Sequence, residues 1–451
     1  VAVSDTEISG ADTVWVLIST ALVLLMTPAL ALFYGGLVRS KNVLSTFMHC
    51  FTAICLVTLV WVTIGYSLAF APTSPLLGGG VIGGLDHVLL NGVGLGPREG
   101  TTIPHLAFSA YQLMFAVITP ALIAGAYAER LKFSAYVLFT VLWTIVVYAP
   151  LCHWVWGPGG WLLARGALDF AGGTVVHLSS GASAIVLARV LGPRLGWPHR
   201  KMLPHDLTMT LLGAGLLWFG WFGFNAGSAL GANGIAALAL INTHVAAAGG
   251  GFSWAALEWW RHRKPSALGV ASGLVAGLVA ITPAAGFCGP GAALVLGALA
   301  GGVCFGAVLV KNALSRGAWA YDDALDAFGV HGVGGAFGAL ATGVVASSAW
   351  NPAGRDGAMF GGWEVLGENA LGVLVAALWS GGLSFVLAKA IDKLIGLRPE
   401  AEDEHEGLDL ALHGEEAYAT VGGTTGYAQT PSEEDEPASE AAPLRAPSGL
   451  A

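Results

Sequence analysis

The chain is 451 residues long, with 55% hydrophobic residues, 11% charged residues and a formal net charge of −9. Soluble domains carry about a quarter charged residues, so this composition excludes an ordinary water-soluble protein: its apolar surface must meet lipid. The negative charge comes largely from the C-terminal tail, and no nucleic-acid partner is expected.

Apolar windows long enough to cross a ~30 Å hydrocarbon core, roughly 20 residues, recur at 11–38, 43–71, 103–128, 133–156, 171–192, 207–229, 234–260, 266–286, 290–310, 327–349 and 366–394. The alternating ten-residue segments of a membrane barrel are absent, so the spans are helical. Residues 72–102 form a long Gly/Pro-rich loop and 157–170 a shorter one. The 65 glycines fall inside apolar segments, as at Gly213, Gly215, Gly220, Gly223 and Gly227, and point to close helix–helix packing. Five cysteines make no ligand pattern and read as small core residues; no metal site or cofactor is expected.

Lys and Arg cluster after the odd-numbered spans: Arg39 and Lys41, Arg130 and Lys132, Arg189, Arg194, Arg200 and Lys201, Arg261, Arg263 and Lys264, Lys311 and Arg316, then Lys389, Lys393 and Arg398. The alternate loops hold only Arg98, Arg165 and Arg355. The positive-inside rule then places the N-terminus outside and the C-terminus in the cytoplasm, which requires an odd number of spans. The chain opens on Val1 instead of Met, which suits removal of a leading segment. The predicted organisation is an extracytoplasmic 1–10, a transmembrane domain 11–397, an ordered cytoplasmic segment 398–418 and a disordered tail 419–451. That last stretch has too little apolar surface to offset the entropy of ordering.

Ionisable groups inside spans are expensive and mark function. His177 and His331 both lie in Val-His-x-x-x-Gly-Ala, one in the fifth span and one in the tenth, and each follows an aspartate by eight residues, Asp169 and Asp323. Five spans per half turn the second half upside down, and inverted repeats share a site at the midplane. The two histidines are therefore expected to face each other, against the plainer reading that each hydrogen-bonds between packed helices.

Four segments then carry a resemblance: Ala-Leu-Asp-Phe-Ala-Gly-Gly-Thr-Val-Val-His (167–177), Gly-Trp-Phe-Gly-Phe-Asn-Ala-Gly-Ser (220–228), Phe-Gly-Val-His-Gly (328–332) and Phe-Tyr-Gly-Gly-Leu-Val-Arg (33–39). The chain resembles the ammonium transporters of the Amt/Mep/Rh family over nearly all of 11–418. That resemblance implies an all-α membrane protein of eleven transmembrane helices, two inverted five-helix repeats plus a C-terminal helix, assembled as a homotrimer in the plasma membrane. It implies transport of ammonium, with methylammonium as an analogue, and no enzymatic reaction.

Residue by residue, the resemblance implies a recruitment site at Trp156 and Ser228, bordered by Tyr111 and Phe115, where an indole face offers a cation–π contact. Taken alone, Trp156 also suits an interfacial aromatic belt. The resemblance further implies a gate of two stacked rings, Tyr111 and Phe224, although the family's usual residue at the position of Tyr111 is Phe. Trp221 and Thr282 line the pore with His177 and His331. Asp169 caps a helix, stabilises a cation by its field, or both; Asp323 and Asp326 cap a helix and line the opposite mouth. The segment 406–418 resembles the family's ordered tail, which contacts a PII signalling protein, and is expected to dock on Arg200, Lys201, Arg261 and Arg263. An ammonium sensor and an Rh-like neutral gas channel are the alternatives.

Overall fold

A computed structural model describes residues 7–73 and 80–418. The apolar windows fold as helices α1 (Gly10–Leu37), α2 (Ser40–Phe70) and α3 (His105–Tyr127). The fourth, α4, continues from Phe133–Trp143 through Thr144–Tyr148 into Ala149–Trp156. Then follow α5 (Gly173–Leu191), α6 (Leu207–Ala229), α7 (Gly234–His262), α8 (Ala267–Ile281), α9 (Pro290–Ala313), α10 (Phe328–Val345) and α11 (Trp363–Ile395). Ten of these are long and apolar enough to cross a bilayer, and the shorter α8 completes the eleven. The eighth span is shorter than its apolar window because Pro283 lacks the N–H needed to continue the helix. The loop 157–170 holds a short helix, Trp161–Arg165, closed by Gly166 at φ 87°.

Local chemistry sets the helix starts. Ser9 opens α1, Asp206 α6, Asn233 α7 and Ser266 α8, each side chain accepting a first-turn amide. α11 lies along α4, α5 and α10. Where α5 meets α10 the backbones nearly touch. A Cβ on Gly335 would sit 2.8 Å from the Gly173 carbonyl oxygen, and one on Gly181 would collide with the backbone of Gly332. Only glycine permits that crossing, and it brings the two histidine-bearing segments together.

The tail folds as α12 (Ala401–Glu406) and α13 (Leu408–His413). Its docking differs from the expected one: it packs on the start of α2, not on Arg200, Lys201, Arg261 and Arg263. The Asp409 carboxylate accepts the amides of Leu44 (3.0 Å) and Ser45 (2.7 Å), while Asn42 Oδ1 accepts the amide of Leu408 (2.8 Å). Each helix thus caps the other. Lys41 Nζ donates to the Glu404 carbonyl at 3.1 Å, Arg398 pairs with Glu404, and His205 Nε2 bonds the Tyr418 hydroxyl at 2.9 Å. Capping needs carboxylates beside free amides, which the surface cations do not provide. The proposed tail 419–451 and residues 1–6 lie outside the described residues.

Candidate functional site

The site begins at the turn before α5. Gly172 adopts φ 114°, a left-handed conformation that suits glycine, and folds the chain around Asp169. The Asp169 carboxylate accepts the amides of Gly172 (2.7 Å), Gly173 (2.6 Å), Thr174 (2.8 Å) and Val175 (3.2 Å), and the Thr174 hydroxyl. Capping is thus present in full, and it anchors a π-turn, Gly173–Leu178, that carries His177. The second half repeats the device. Asp323 accepts the amides of Ala327 (3.0 Å) and Phe328 (2.8 Å) and anchors a π-turn, Phe328–Gly332, that carries His331. Such turns widen the helix by one residue and redirect side chains.

The planes of the two imidazoles lie 15° from parallel, with Nδ1 to Nδ1 3.3 Å. A hydrogen bond between identical atoms requires one donor and one acceptor. The pair therefore shares a single proton at this contact, and its outer Nε2 atoms present one acceptor and one donor. His177 Nε2 is buried and without a protein partner. It faces a cavity of about 10 Å³ walled by Leu30, Ile118, Val176, Leu217, Trp221 and Phe224, the room that one water-sized molecule needs.

Toward the N-terminal end of α5 the aromatic rings close over this cavity. Phe115 and Phe224 have centroids 4.3 Å apart and planes tilted by 31°. The ring that packs against Phe224 is thus Phe115, where Tyr111 was expected. Tyr111 meets Phe115 edge-on at 5.0 Å, and its hydroxyl donates to the carbonyls of Gly223 (2.8 Å) or Phe224 (2.9 Å) and lies 3.2 Å from Ser228 Oγ. The phenol is tied to α6 by its own oxygen, which turns it away from Phe224. Trp156 lies edge-on to Phe115 at 6.0 Å, and its indole N–H donates to the Asp169 carbonyl at 2.8 Å. Tyr111, Phe115, Trp156 and Ser228 therefore gather at one end of the apolar passage, and Trp156 is anchored by Asp169 instead of floating in a belt.

Trp221 stacks on His177 at 5.3 Å and donates to Thr282 Oγ1 at 2.9 Å. Thr282 donates in turn to the Leu278 carbonyl, so its hydroxyl is spent on holding Trp221. Beyond His331 a cavity of about 410 Å³ opens on the tail side, lined by Tyr34, Val275, Lys311 and Asp326.

Residues 14–418 match the Ammonium Transporter Family model. The chain belongs to the ammonium transporter family. It is 50% identical over 408 residues to an ammonium transporter of Bacillus subtilis, covering 90% of this chain and 98% of the relative. It is 43% identical to the ammonium transporter Amt1 of Archaeoglobus fulgidus, covering 91% of this chain and all of that one. Among solved structures it resembles Saccharomyces cerevisiae Mep2, with TM-score 0.82 and 36% identity over 88% of this chain and 89% of that one. It also resembles a structure described as a sensor Amt protein, with TM-score 0.81 and 30% identity over 89% of this chain and 98% of that one.

In this family member the cavity beyond His331 holds charged groups besides the expected Asp323 and Asp326. Lys311 reaches from α9 to pair with Asp326 and to donate to the Asp323 carbonyl at 3.0 Å. Burial pushes the Asp323 carboxyl up to about 6, against the opposing pull of Lys311. Asp326 has a φ of 60°, the left-handed region. Around this mouth, Arg194 forms a bidentate pair with Asp322 (2.8 and 2.9 Å), and Glu129 holds Arg39 at 2.8 Å. The sequence signal for Lys311 is a lysine two residues from the end of an apolar helix, which by itself marks topology alone.

Proposed function

We propose that this chain moves ammonium across the plasma membrane, with the N-terminus outside and the tail in the cytoplasm, as a homotrimer with one pore per subunit. The observation that carries the reading is the Nδ1-bonded pair His177–His331, set at an apolar passage that has room for one small molecule. Ammonium and K⁺ are alike in charge and size, so selection rests on desolvation. An apolar passage strongly disfavours a bare cation, which K⁺ always remains, whereas ammonium can give up a proton and cross as ammonia. The outer group of Trp156, Ser228, Tyr111 and Phe115 recruits the cation by ring faces and oxygen acceptors. The buried negative charge of Asp169, one turn away, favours it there through its field. The rings of Phe115 and Phe224 part for the molecule in transit.

At the pair, ammonia accepts a hydrogen bond from one Nε2–H and donates to the other Nε2. The same Nδ1 contact gives a proton a route between the rings, since moving it from one Nδ1 to the other exchanges their roles. Residues 398–418 serve as a regulatory segment where a PII signalling protein docks. The docked tail and the likeness to a sensor Amt protein also support a second reading, in which ammonium binding is signalled through that tail.

The test is methylammonium flux into proteoliposomes. His177→Ala with His331→Ala is expected to abolish selective flux while leaving the assembled oligomer intact. Wild-type flux with K⁺ still excluded in the double variant overturns the assignment.

A further inference from the structure

The passage described above does not use Lys311, and its surroundings are unusual for a lysine. Its side chain is 13% exposed, near the end of an otherwise apolar α9. The Nζ sits between the carboxylate of Asp326 and the carbonyl oxygen of Asp323. The backbone around both partners is held from elsewhere. The Asp323 carboxylate is tied to the first amides of α10, and Asp326 is held in the left-handed region, where its carbonyl accepts the amide of Val330 at 2.9 Å. Lys311, Asp326 and His331 line one cavity. A lysine head is a primary ammonium group with three N–H donors and one positive charge. A cradle that fits it therefore fits methylammonium and, with one more donor, ammonium itself.

On the reading of this passage as an ammonium pathway, we infer that Lys311 is a tethered ammonium. It occupies a cation cradle of Asp326 and Asp323 at the cytoplasmic mouth and so keeps the transported product from being retained below His331. Without the tether, a carboxylate and a carbonyl directly under the histidine pair would hold each re-protonated ammonium ion at the exit. The tethered head is present at an effective concentration of about millimolar or more, and a competitor weakens the free ligand's apparent affinity by mass action. Arg200, which lines the same cavity, adds to the field that sends a cation outward. Neutral ammonia meets no such barrier.

The effect appears in KM at the cytoplasmic face, measured as methylammonium flux into inverted vesicles, against KM at the outer face, measured in right-side-out vesicles. In the wild type the cytoplasmic KM is expected to exceed the outer one by about fivefold or more. Lys311→Met is expected to lower the cytoplasmic KM by about that factor and to leave the outer KM within about twofold. Lys311→Arg, which keeps a cation in the cradle, is expected to stay at the wild-type value, an outcome that a purely structural lysine does not require. Purified Lys311→Met is expected to bind methylammonium at a site absent from the wild type and lost again in Lys311→Met with Asp326→Asn.

Equal KM values at the two faces of the wild type overturn the inference, and they decide it even where the Met variant does not assemble. So does a Lys311→Met protein whose cytoplasmic KM is unmoved. A wild type without methylammonium flux from either face would instead overturn the transport reading, and the binding comparison would still judge the cradle.

Discussion

Asp169 joins helix capping to electrostatics, and replacing it separates the two. Asp169 is 9% exposed, and its carboxylate accepts four amides, from Gly172 to Val175, at 2.6–3.2 Å. Asp169→Ala leaves at least three of them buried without an acceptor. A buried unpaired donor costs about 1–3 kcal/mol; the lower part of that range applies beside a slightly wet carboxylate, giving a total of about 3–5 kcal/mol. Asp169→Asn keeps one oxygen, which serves Gly172 and Gly173, but turns an NH₂ toward the amides of Thr174 and Val175, a loss of about 1–3 kcal/mol. For a chain of this length each kcal/mol shifts Tm by about 1–2 °C. Thermal unfolding in detergent, followed by tryptophan fluorescence, is then expected to show a drop of about 3–10 °C for the Ala variant and a smaller one for Asn. Methylammonium flux is expected to fall by about tenfold or more in Asp169→Asn, because the negative field beneath Trp156 is gone. An Asn variant transporting at the wild-type rate removes the electrostatic role. An Ala variant melting with the wild type removes the capping role.

Tyr111→Phe deletes the hydroxyl that reaches the Gly223 and Phe224 carbonyls and is expected to cost about 1 kcal/mol. Flux is expected to stay within about twofold, because the ring paired with Phe224 is Phe115; a collapse of flux would show that the Tyr111 hydroxyl is needed for transport. Asp409→Ala removes the cap on α2, about 1 kcal/mol, and is expected to loosen residues 401–418 in hydrogen exchange; unchanged protection there would mean that the cap does not hold the tail. Asp323 titrates near 6, above its ordinary 3.8, so the folded state holds its proton longer than the unfolded chain does. Its contribution to stability is therefore largest below about 4 and is lost as pH rises to about 6. The Tm of the wild type relative to Asp323→Asn is expected to decline across that window, and a pH-independent difference would contradict the burial argument.

The eleven spans, the alternating positive loops and the matched Val-His motifs were legible in the sequence because hydropathy and charge are local properties of the chain. A helix must be apolar along its own length whatever it touches, and Lys and Arg stay on one side of the membrane regardless of helix packing. The repeat even announced that His177 and His331 would meet. What the sequence left open depends on side-chain direction and on partners far apart in the chain. Tyr111 and Phe115 lie one helical turn apart on the same face, so spacing does not tell which ring meets Phe224. The choice was made by an oxygen on Tyr111 finding two carbonyls of α6. The tail's acidic composition suggested cations as its seat, yet its anchor is the set of free amides at the start of α2. Those amides appear only once the helix ends and α13 comes to rest beside it. Lys311 likewise counted as one more positive residue near a membrane face. Its pairing with Asp326 exists because the turn before α10 folds back under His331 and offers a carbonyl and a carboxylate to the same ammonium group.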